Sequence, residues 1–515
     1  MNIVFIPEVL IRPNQPQGVM SLLYFEKQNL WLQAQRCNMG FFSIGPCLHS
    51  IILINRATLN LNQRPDIRAP VMEISLKNDS LITPGYIFMA PYQTELPGPY
   101  IYDTDGLTQE PRIWYGPEPM AQQPNFSMAC RGRNIILNKD YAQAATVQSG
   151  DGLTLSDMHE LDIIDNTSVL IAIYQPRRYN LTAYNVSADN GWVMDGVFQE
   201  INITSGKVLF EWRSLDHVGI SETYTPIRLN TVVGDGLSNA TAWDYFHINS
   251  VDKNDDGDYL VSARHTSCIY KISGADGSIQ WRLGGTNSSI KLQDYNFSSQ
   301  HDARFIQEND TVTVISLFDN ASNGYRNTSS TSSGIIVSID HATNTSSLMK
   351  RYQAPGNGLL STSQGNLQIL ANQNTFIGWG NNPSISEHTE DGTPVFLATL
   401  EDPRAMNYRA FKFNWTGEPS DNPTLRTYAA APGSATTFWV SWNGATEVDY
   451  WNFYGTTSTS EEFTLLTKAD RQGFQTTYTS TDYHPRAYAE AVSSDGSSLG
   501  NSSVVNTTSS LPSQD

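Results

Sequence analysis

One local pattern recurs between residues 202 and 400: a strand-like run, a polar turn, a second run, and a bulky side chain near its end. NITSGKVLFEWRS (202–214), KISGADGSIQWRLGG (271–285), SIDHATNTSSLMKRY (338–352) and SEHTEDGTPVFLATL (386–400) all carry it. Short runs that alternate apolar with polar side chains and break at Asp, Asn and Gly have the period of half-buried strands, not of helices. The first three units reach Trp212, Trp281 and Tyr352, about 70 residues apart, a spacing that fits blades with long loops. Sheets repeated around an axis leave few exposed edges and gather their loops about one channel. An all-β chain is therefore expected, and a β-propeller explains the pattern better than a series of hairpins in a sandwich.

Composition bears on the partners. A charged content of 16% with abundant Gly, Pro, Ser, Thr and Asn favours turns between strands over helices. The net charge of −19 argues against nucleic acid and against anionic membranes. No apolar run is long enough for a membrane span, since Phe41 to Ile54 is interrupted by Pro46 and His49. Residues 1–65 read as a leader of uncertain structure, and residues 1–38 hold no clean secretory signal. Sequons nonetheless recur along the chain, at Asn78, Asn125, Asn166, Asn180, Asn185, Asn202, Asn239, Asn287, Asn296, Asn309, Asn327, Asn344, Asn414 and beyond. Their density points to the secretory pathway and to N-linked glycans. The four cysteines lack the spacing of a zinc site, and in an oxidising compartment Cys130 and Cys268 could pair.

Domain limits follow from punctuation. Residues 66–418 form the propeller region, and a Pro/Asp/Asn-rich linker lies at Pro419–Pro423. Residues 425–500 resemble a fibronectin type III β-sandwich, with Trp442 in an early strand and Tyr488 in a late one. This module is expected to be structural or adhesive. Residues 501–515 read as a disordered tail.

The chemistry concentrates in DYFHINSVDKNDDGDYLVSARHTSCIYKI (244–272), which sets His247, Arg264 and His265 on one hairpin. Its turn, DKNDDG, mimics the start of a calcium loop, but Ala263 stands where the bidentate Glu belongs, so a hairpin turn is expected. His159 in SDMHE and His301 in QHDARF have comparable settings. No H-E-x-x-H motif argues for a metal, and no G-x-S-x-G elbow argues for a serine hydrolase. Histidine as a nucleophile toward sulfur or phosphorus remains, with arginine binding the transferring oxygens.

The ordered set DYFHINSV, SARHTSCIYKI, GSIQWRLGG, QHDARF and SLFDN, with APVMEI, PGYIFMAPY, SDMHE, IYQPRRY, FQEINITSGKVLFEWRSLDHV and IGWGNNPSISE, resembles the arylsulfate sulfotransferase family in its fungal branch, over roughly 68–410. The resemblance implies a six-bladed β-propeller that moves a sulfuryl group between phenols through a sulfohistidine, with no phosphoadenosine donor, cofactor or metal. It implies that His301 attacks sulfur, that Arg264 stabilises the equatorial oxygens, and that His247 and His159 position the donor and manage the phenolic proton. Small phenolic or aromatic molecules are the implied substrates. The segment GLTQEPRIWYG departs from the family pattern, so an altered first blade is expected. His265, next to Arg264 on an alternating strand, is expected to face away, and Asn320, in a sequon of its own, is expected to be unmodified. Two other readings stay open: a fungal secondary-metabolite enzyme using the same pocket for acid/base or pericyclic chemistry, and a non-catalytic secreted binding glycoprotein.

Overall fold

The computed structural model describes residues 69–510 except 96, 105–112, 116–130, 133, 155, 187–190, 231 and 458–461, together with the strands Asn2–Phe5 and Ser21–Leu23. Among the described residues the chain is all-β, and its helical segments are single 3₁₀ turns such as Thr182–Tyr184.

Consecutive strands pair antiparallel and then give way to the next sheet. Leu161–Ile164, Ser168–Arg178, Trp192–Asn202 and Val208–Arg213 make one sheet in chain order. Ile248–Lys253, Tyr259–Ala263, Cys268–Ile272 and Ile279–Gly284 make the second. A third runs from His301–Glu308 to Thr345–Tyr352, and a fourth from Asn366–Ile369 to Pro394–Leu400. Two N-terminal strands then join C-terminal partners: Met72–Lys77 closes the fourth sheet, and Tyr86–Tyr92 pairs with Met406–Phe413 in the fifth. The circuit returns through Asn134–Leu137 and Gln143–Val147.

Apolar clusters show how the sheets face one another. Phe198 and Trp212 of the first pack with Tyr259 and Val261 of the second. Leu260 and Ile269 meet Phe305 and Ile315 of the third, and Phe318 meets Leu367 and Trp379 of the fourth. Phe376 and Phe396 meet Ile87 and Met89, Phe88 and Ile101 meet Leu137, and Ile136 and Val147 return to Ile171 and Val197. Each sheet buries both faces against its neighbours, which is why its strands tolerate near-continuous apolar runs. The result is propeller-like.

Three expectations are revised. The leader contributes Asn2–Phe5, which pairs parallel with Asn134–Leu137. The segment from 501 is not a free tail: Val505–Asn506 pairs with Arg486–Val492, and Ala429 donates its N–H to the Thr508 carbonyl at 3.0 Å. The tryptophan of the terminal sandwich core is Trp451, packed with Phe438 and Phe453 between a sheet of Thr424–Tyr428, Thr437–Ser441 and Gln475–Thr479 and a sheet built on Tyr450–Gly455. Trp442 lies just past its strand and donates to the Asp421 carbonyl, while Tyr488 is half-buried and stacks on Tyr454. Of the segment expected to alter the first blade, residues 106–112 and 116 lie outside the described residues, and Ile113–Tyr115 pairs with the preceding strand. The hairpin turn after Lys253 is a turn, as expected: Asn254 accepts from the Asp258 N–H at 2.7 Å, and Gly257 supplies φ +88°. Cys130 lies outside the described residues, and Cys268 is a buried free thiol.

A buried ionic hub joins the sheets. The Glu160 carboxylate, 0% exposed, accepts from Arg304 at 2.7 Å, Arg409 at 2.9 Å and the Val251 N–H at 3.0 Å. Arg304 also donates to Asp302, and Arg409 to the Asn249 carbonyl. Removing one partner of such a cluster strands the others without solvent or counter-charge. Glu160→Ala should therefore destabilise the fold by about 3–5 kcal/mol, read as a fall in the urea midpoint with an unchanged m-value.

Candidate active site

In each sheet the start of the first strand and the loop between the second and third strands lie at the same end, because neighbouring strands run antiparallel. His159 and His247 immediately precede first strands, and His301 begins one. Arg264 and His265 form a loop between second and third strands, as does Asn320. All four residues expected at the site are thus brought to one end of the ring.

Ring contacts confirm the convergence. His159 lies 4.9 Å from His247 between centroids, and His247 lies 4.5 Å from His265. Tyr408, at the start of its sheet's first strand, reaches both His159 at 5.3 Å and His301 at 6.2 Å. Tyr174 packs on His159 and His247 at 5.2 and 5.6 Å. The backbone is forced to build this: His247 has φ 56° and Asp302 has φ 55°, both in the left-handed region that costs non-glycine residues energy.

Hydrogen bonds set the tautomers. The side-chain NH₂ of Asn320 donates to the carbonyls of Ser361 at 3.0 Å and Gln364 at 2.9 Å, so its oxygen faces His301. That oxygen can only accept, so His301 Nδ1, 2.6 Å away, carries the proton and Nε2 keeps the lone pair. The Gln364 N–H donates to that lone pair at 3.2 Å. Gly365 permits this close loop: its φ is +105°, and an added Cβ would meet the Phe318 ring at 2.5 Å. His247 Nδ1 is 2.5 Å from Asp244 Oδ2, and His159 Nδ1 contacts Asp157 Oδ1, so each imidazole is oriented by a carboxylate.

Charge is handled unusually. Arg264 donates to the Thr362 carbonyl at 2.7 Å and faces His265 Nε2 at 3.1 Å, while its Nε–H is buried without a partner. The Tyr408 hydroxyl, on a residue 8% exposed, is likewise unpartnered. Burial, then the Arg264 cation, push the His301 imidazole well below the usual histidine range, against a partial lift from Asn320. Burial, then His159 and Arg264, push His247 the same way. Burial takes His265 down to about 3, although Asp244 opposes the shift.

His265 does not face away. The strand ends at Ala263, so alternation stops before the turn, and the ring folds inward to donate from Nδ1 to the Asp244 carbonyl at 2.6 Å. Asp244, His247 and His265 place potential metal ligands within 4.8 Å of one another. The set suits a cation poorly: both Nδ1 atoms are already hydrogen-bonded, and His265 Nε2 faces a guanidinium.

The Arylsulfotransferase (ASST) family profile matches residues 132–401, more than half of the chain and all four of these sites. The chain belongs to the arylsulfotransferase family. No curated protein sequence matches it. Among solved structures, a protein of unknown function from Bacteroides caccae is 14% identical, with 64% of this chain and 99% of that one covered at a TM-score of 0.37. The GH43 BlXynB protein from Bacillus licheniformis is 9% identical, with 85% and 90% covered at 0.26. The WD40 domain of SCAP from fission yeast is 8% identical, with 64% and 76% covered at 0.19.

Tyr174, Tyr408, Gln364, Asp157 and Asp244 join this arylsulfotransferase site without having been expected. The two carboxylates had a signal, Asp-x-His in SDMH and Asp-x-x-His in DYFH. Tyr408 had none. Histidine-selective ¹⁵N NMR should find His247, His265 and His301 neutral at about pH 5.5, a pH at which an ordinary histidine is mostly protonated. An imidazolium signal from any of the three at that pH would contradict this electrostatic account.

Proposed function

We propose that this protein transfers a sulfuryl group between phenols, with His301 as the nucleophile. The observation that carries the reading is the pairing of a half-buried arginine, in direct contact with no carboxylate among the described residues, with a neutral histidine whose Nε2 lone pair is fixed by Asn320. A guanidinium that feels Asp244 only at longer range and has no carboxylate in direct contact suits an anionic ligand, and an aryl sulfate brings one negative charge and three oxygens.

In this scheme His301 Nε2 attacks sulfur, the N–S bond forms and the S–O bond to the aryl group breaks. The aryl oxygen leaves as a phenolate and takes its proton from water. An acceptor phenol then attacks the same sulfur, the N–S bond breaks, and its proton passes to an imidazole. His247 and His159 suit that exchange, because Asp244 and Asp157 on their Nδ1 atoms would support the charge each gains. Arg264 and the Gln364 N–H would bind the sulfuryl oxygens, and the Tyr408 hydroxyl stands free to donate to the phenolic oxygen. Neither step needs a phosphoadenosine donor or a cofactor. We further read the circuit of sheets as six blades, the terminal sandwich as fibronectin type III-like, and the chain as a fungal member of its family.

His301→Ala should lower transfer from a chromogenic aryl sulfate to phenol by at least about a thousandfold. It should also remove a sulfuryl mass adduct that the wild type carries on the peptide containing His301; a wild type that shows neither product nor adduct sinks the reading. Because burial and Arg264 hold the His301 imidazole unprotonated as pH falls, the acid limb that it sets in kcat/KM should lie below the ordinary histidine value of about 6.5.

We also propose a secreted, N-glycosylated protein. The sequon residues Asn78, Asn166, Asn180, Asn185, Asn239, Asn287, Asn296, Asn309, Asn327, Asn344 and Asn414 are exposed, Asn202 is half-buried, and Asn125 lies outside the described residues. Asn320 is fully buried with both amide hydrogens engaged. Glycopeptide mapping of protein recovered from its own cells should find glycans on the exposed set and none on Asn320.

A further inference from the structure

Three arginines serve the middle of this fold, Arg409 buried and Arg264 and Arg304 half-buried, and they are held in two different ways. Arg304 and Arg409 donate to the Glu160 carboxylate, and Arg304 to Asp302 as well. Their charge is matched within the protein. Arg264 is held by a backbone carbonyl on one side and by an imidazole nitrogen on the other, at 2.7 and 3.1 Å. No carboxylate among the described residues lies within ion-pair distance of it.

The imidazole is His265, and its state is dictated by its other nitrogen. The Asp244 carbonyl, 2.6 Å from Nδ1, can only accept, so Nδ1 bears the proton and Nε2 offers a lone pair toward the guanidinium. The residue is 3% exposed, and its main chain is fixed as firmly as its ring. Its N–H donates to the Phe246 carbonyl at 3.1 Å, and its carbonyl accepts from Tyr224 N–H at 2.8 Å and the Thr223 hydroxyl at 3.2 Å. Every polar atom of His265 is therefore spent on orientation, and its hydrogen bond to Arg264 is the one that leads toward the reacting centre.

We propose that His265 is a positioning residue of the anion site: it aims the Arg264 guanidinium through a neutral acceptor and leaves the cation's charge for the incoming sulfuryl group. The proposal rests on the reading that Arg264 binds that group. A carboxylate in the same place would hold the guanidinium as well and would cancel the charge that an anion needs. The imidazole satisfies one N–H, the Thr362 carbonyl satisfies another, and the Nε–H stays free for a ligand oxygen. Burial reinforces the arrangement, because an imidazole protonated at Nε2 would repel the arginine it must hold.

Three substitutions separate the roles. His265→Gln keeps a neutral acceptor on a side chain of similar reach, His265→Leu removes it, and His265→Glu supplies a charged one. Inorganic sulfate binding, measured by titration calorimetry on the whole protein, should weaken by about tenfold or more in His265→Leu and His265→Glu and by less than about threefold in His265→Gln. In turnover with an aryl sulfate, KM should follow the same order. Equal sulfate affinity in wild type and His265→Leu overturns the proposal, as does a His265→Glu protein that binds sulfate as tightly as wild type. Arg264→Leu is the control for the parent reading: if it binds sulfate like wild type, Arg264 is no anion site and the function fails, whatever His265 does. Should a variant not fold, histidine-selective ¹⁵N NMR of the wild type decides, since a proton on His265 Nε2 in place of Nδ1 removes the acceptor the proposal requires.

Discussion

The site is held in place by one carboxylate it never uses. Glu160 sits between two guanidinium groups from other sheets and takes a backbone N–H from a third. Three of the participants neighbour a site residue in sequence: Glu160 follows His159, Asp302 follows His301, and Arg409 follows Tyr408. Successive side chains at a strand start point in opposite senses. One of each pair enters the hub while the other reaches the mouth, so the contacts that fix the sheets also fix the reactive groups. Reactive side chains gain precision when their supporting shell is rigid, and here that shell is one peptide bond away.

This arrangement bears on how a chain with net charge −19 would hold the anion proposed for this site. The surface field is wrong for an anion, so the attraction must be local and desolvated. Two arginines are spent on structure, and the third has no carboxylate among the described residues in direct contact, with Asp244 acting on it only at longer range. The distinction is invisible at the level of composition and depends wholly on which acceptor each guanidinium meets.

Much of this was legible in the sequence, and the gaps have physical reasons. Period-two runs broken by Asp, Asn and Gly gave the strands, and the hairpin 244–272 folds as its pattern demands. His159, His247, Arg264 and His301 do converge, because each sits beside a strand boundary that the pattern marks. His265 escaped because alternation was carried one turn too far, past Ala263 into a loop where Ser267 has φ 47°. Tyr408 and the Glu160 hub escaped because nothing local announces a contact between residues 249 positions apart. Trp442 was placed in an early strand because an apolar run led up to it, but the strand ends at Ser441 and the ring packs against the edge of the core that Trp451 fills.

The Gln364 N–H shows what must move in the proposed reaction. At rest it donates to the lone pair of His301, which offsets part of the nucleophile's reactivity but holds the ring in its attacking orientation. Once that lone pair is committed to an N–S bond the donor loses its acceptor. Sulfur would take the place of that hydrogen bond, so the loop before Gly365 has to shift until the N–H faces a sulfuryl oxygen in place of the ring nitrogen. A donor whose best acceptor exists only after bond formation has begun stabilises the transition state more than the ground state, which is the condition for raising kcat and not merely lowering KM. Asn320 serves both stages, since its grip on Nδ1–H is unchanged while Nε2 passes from lone pair to sulfur and back.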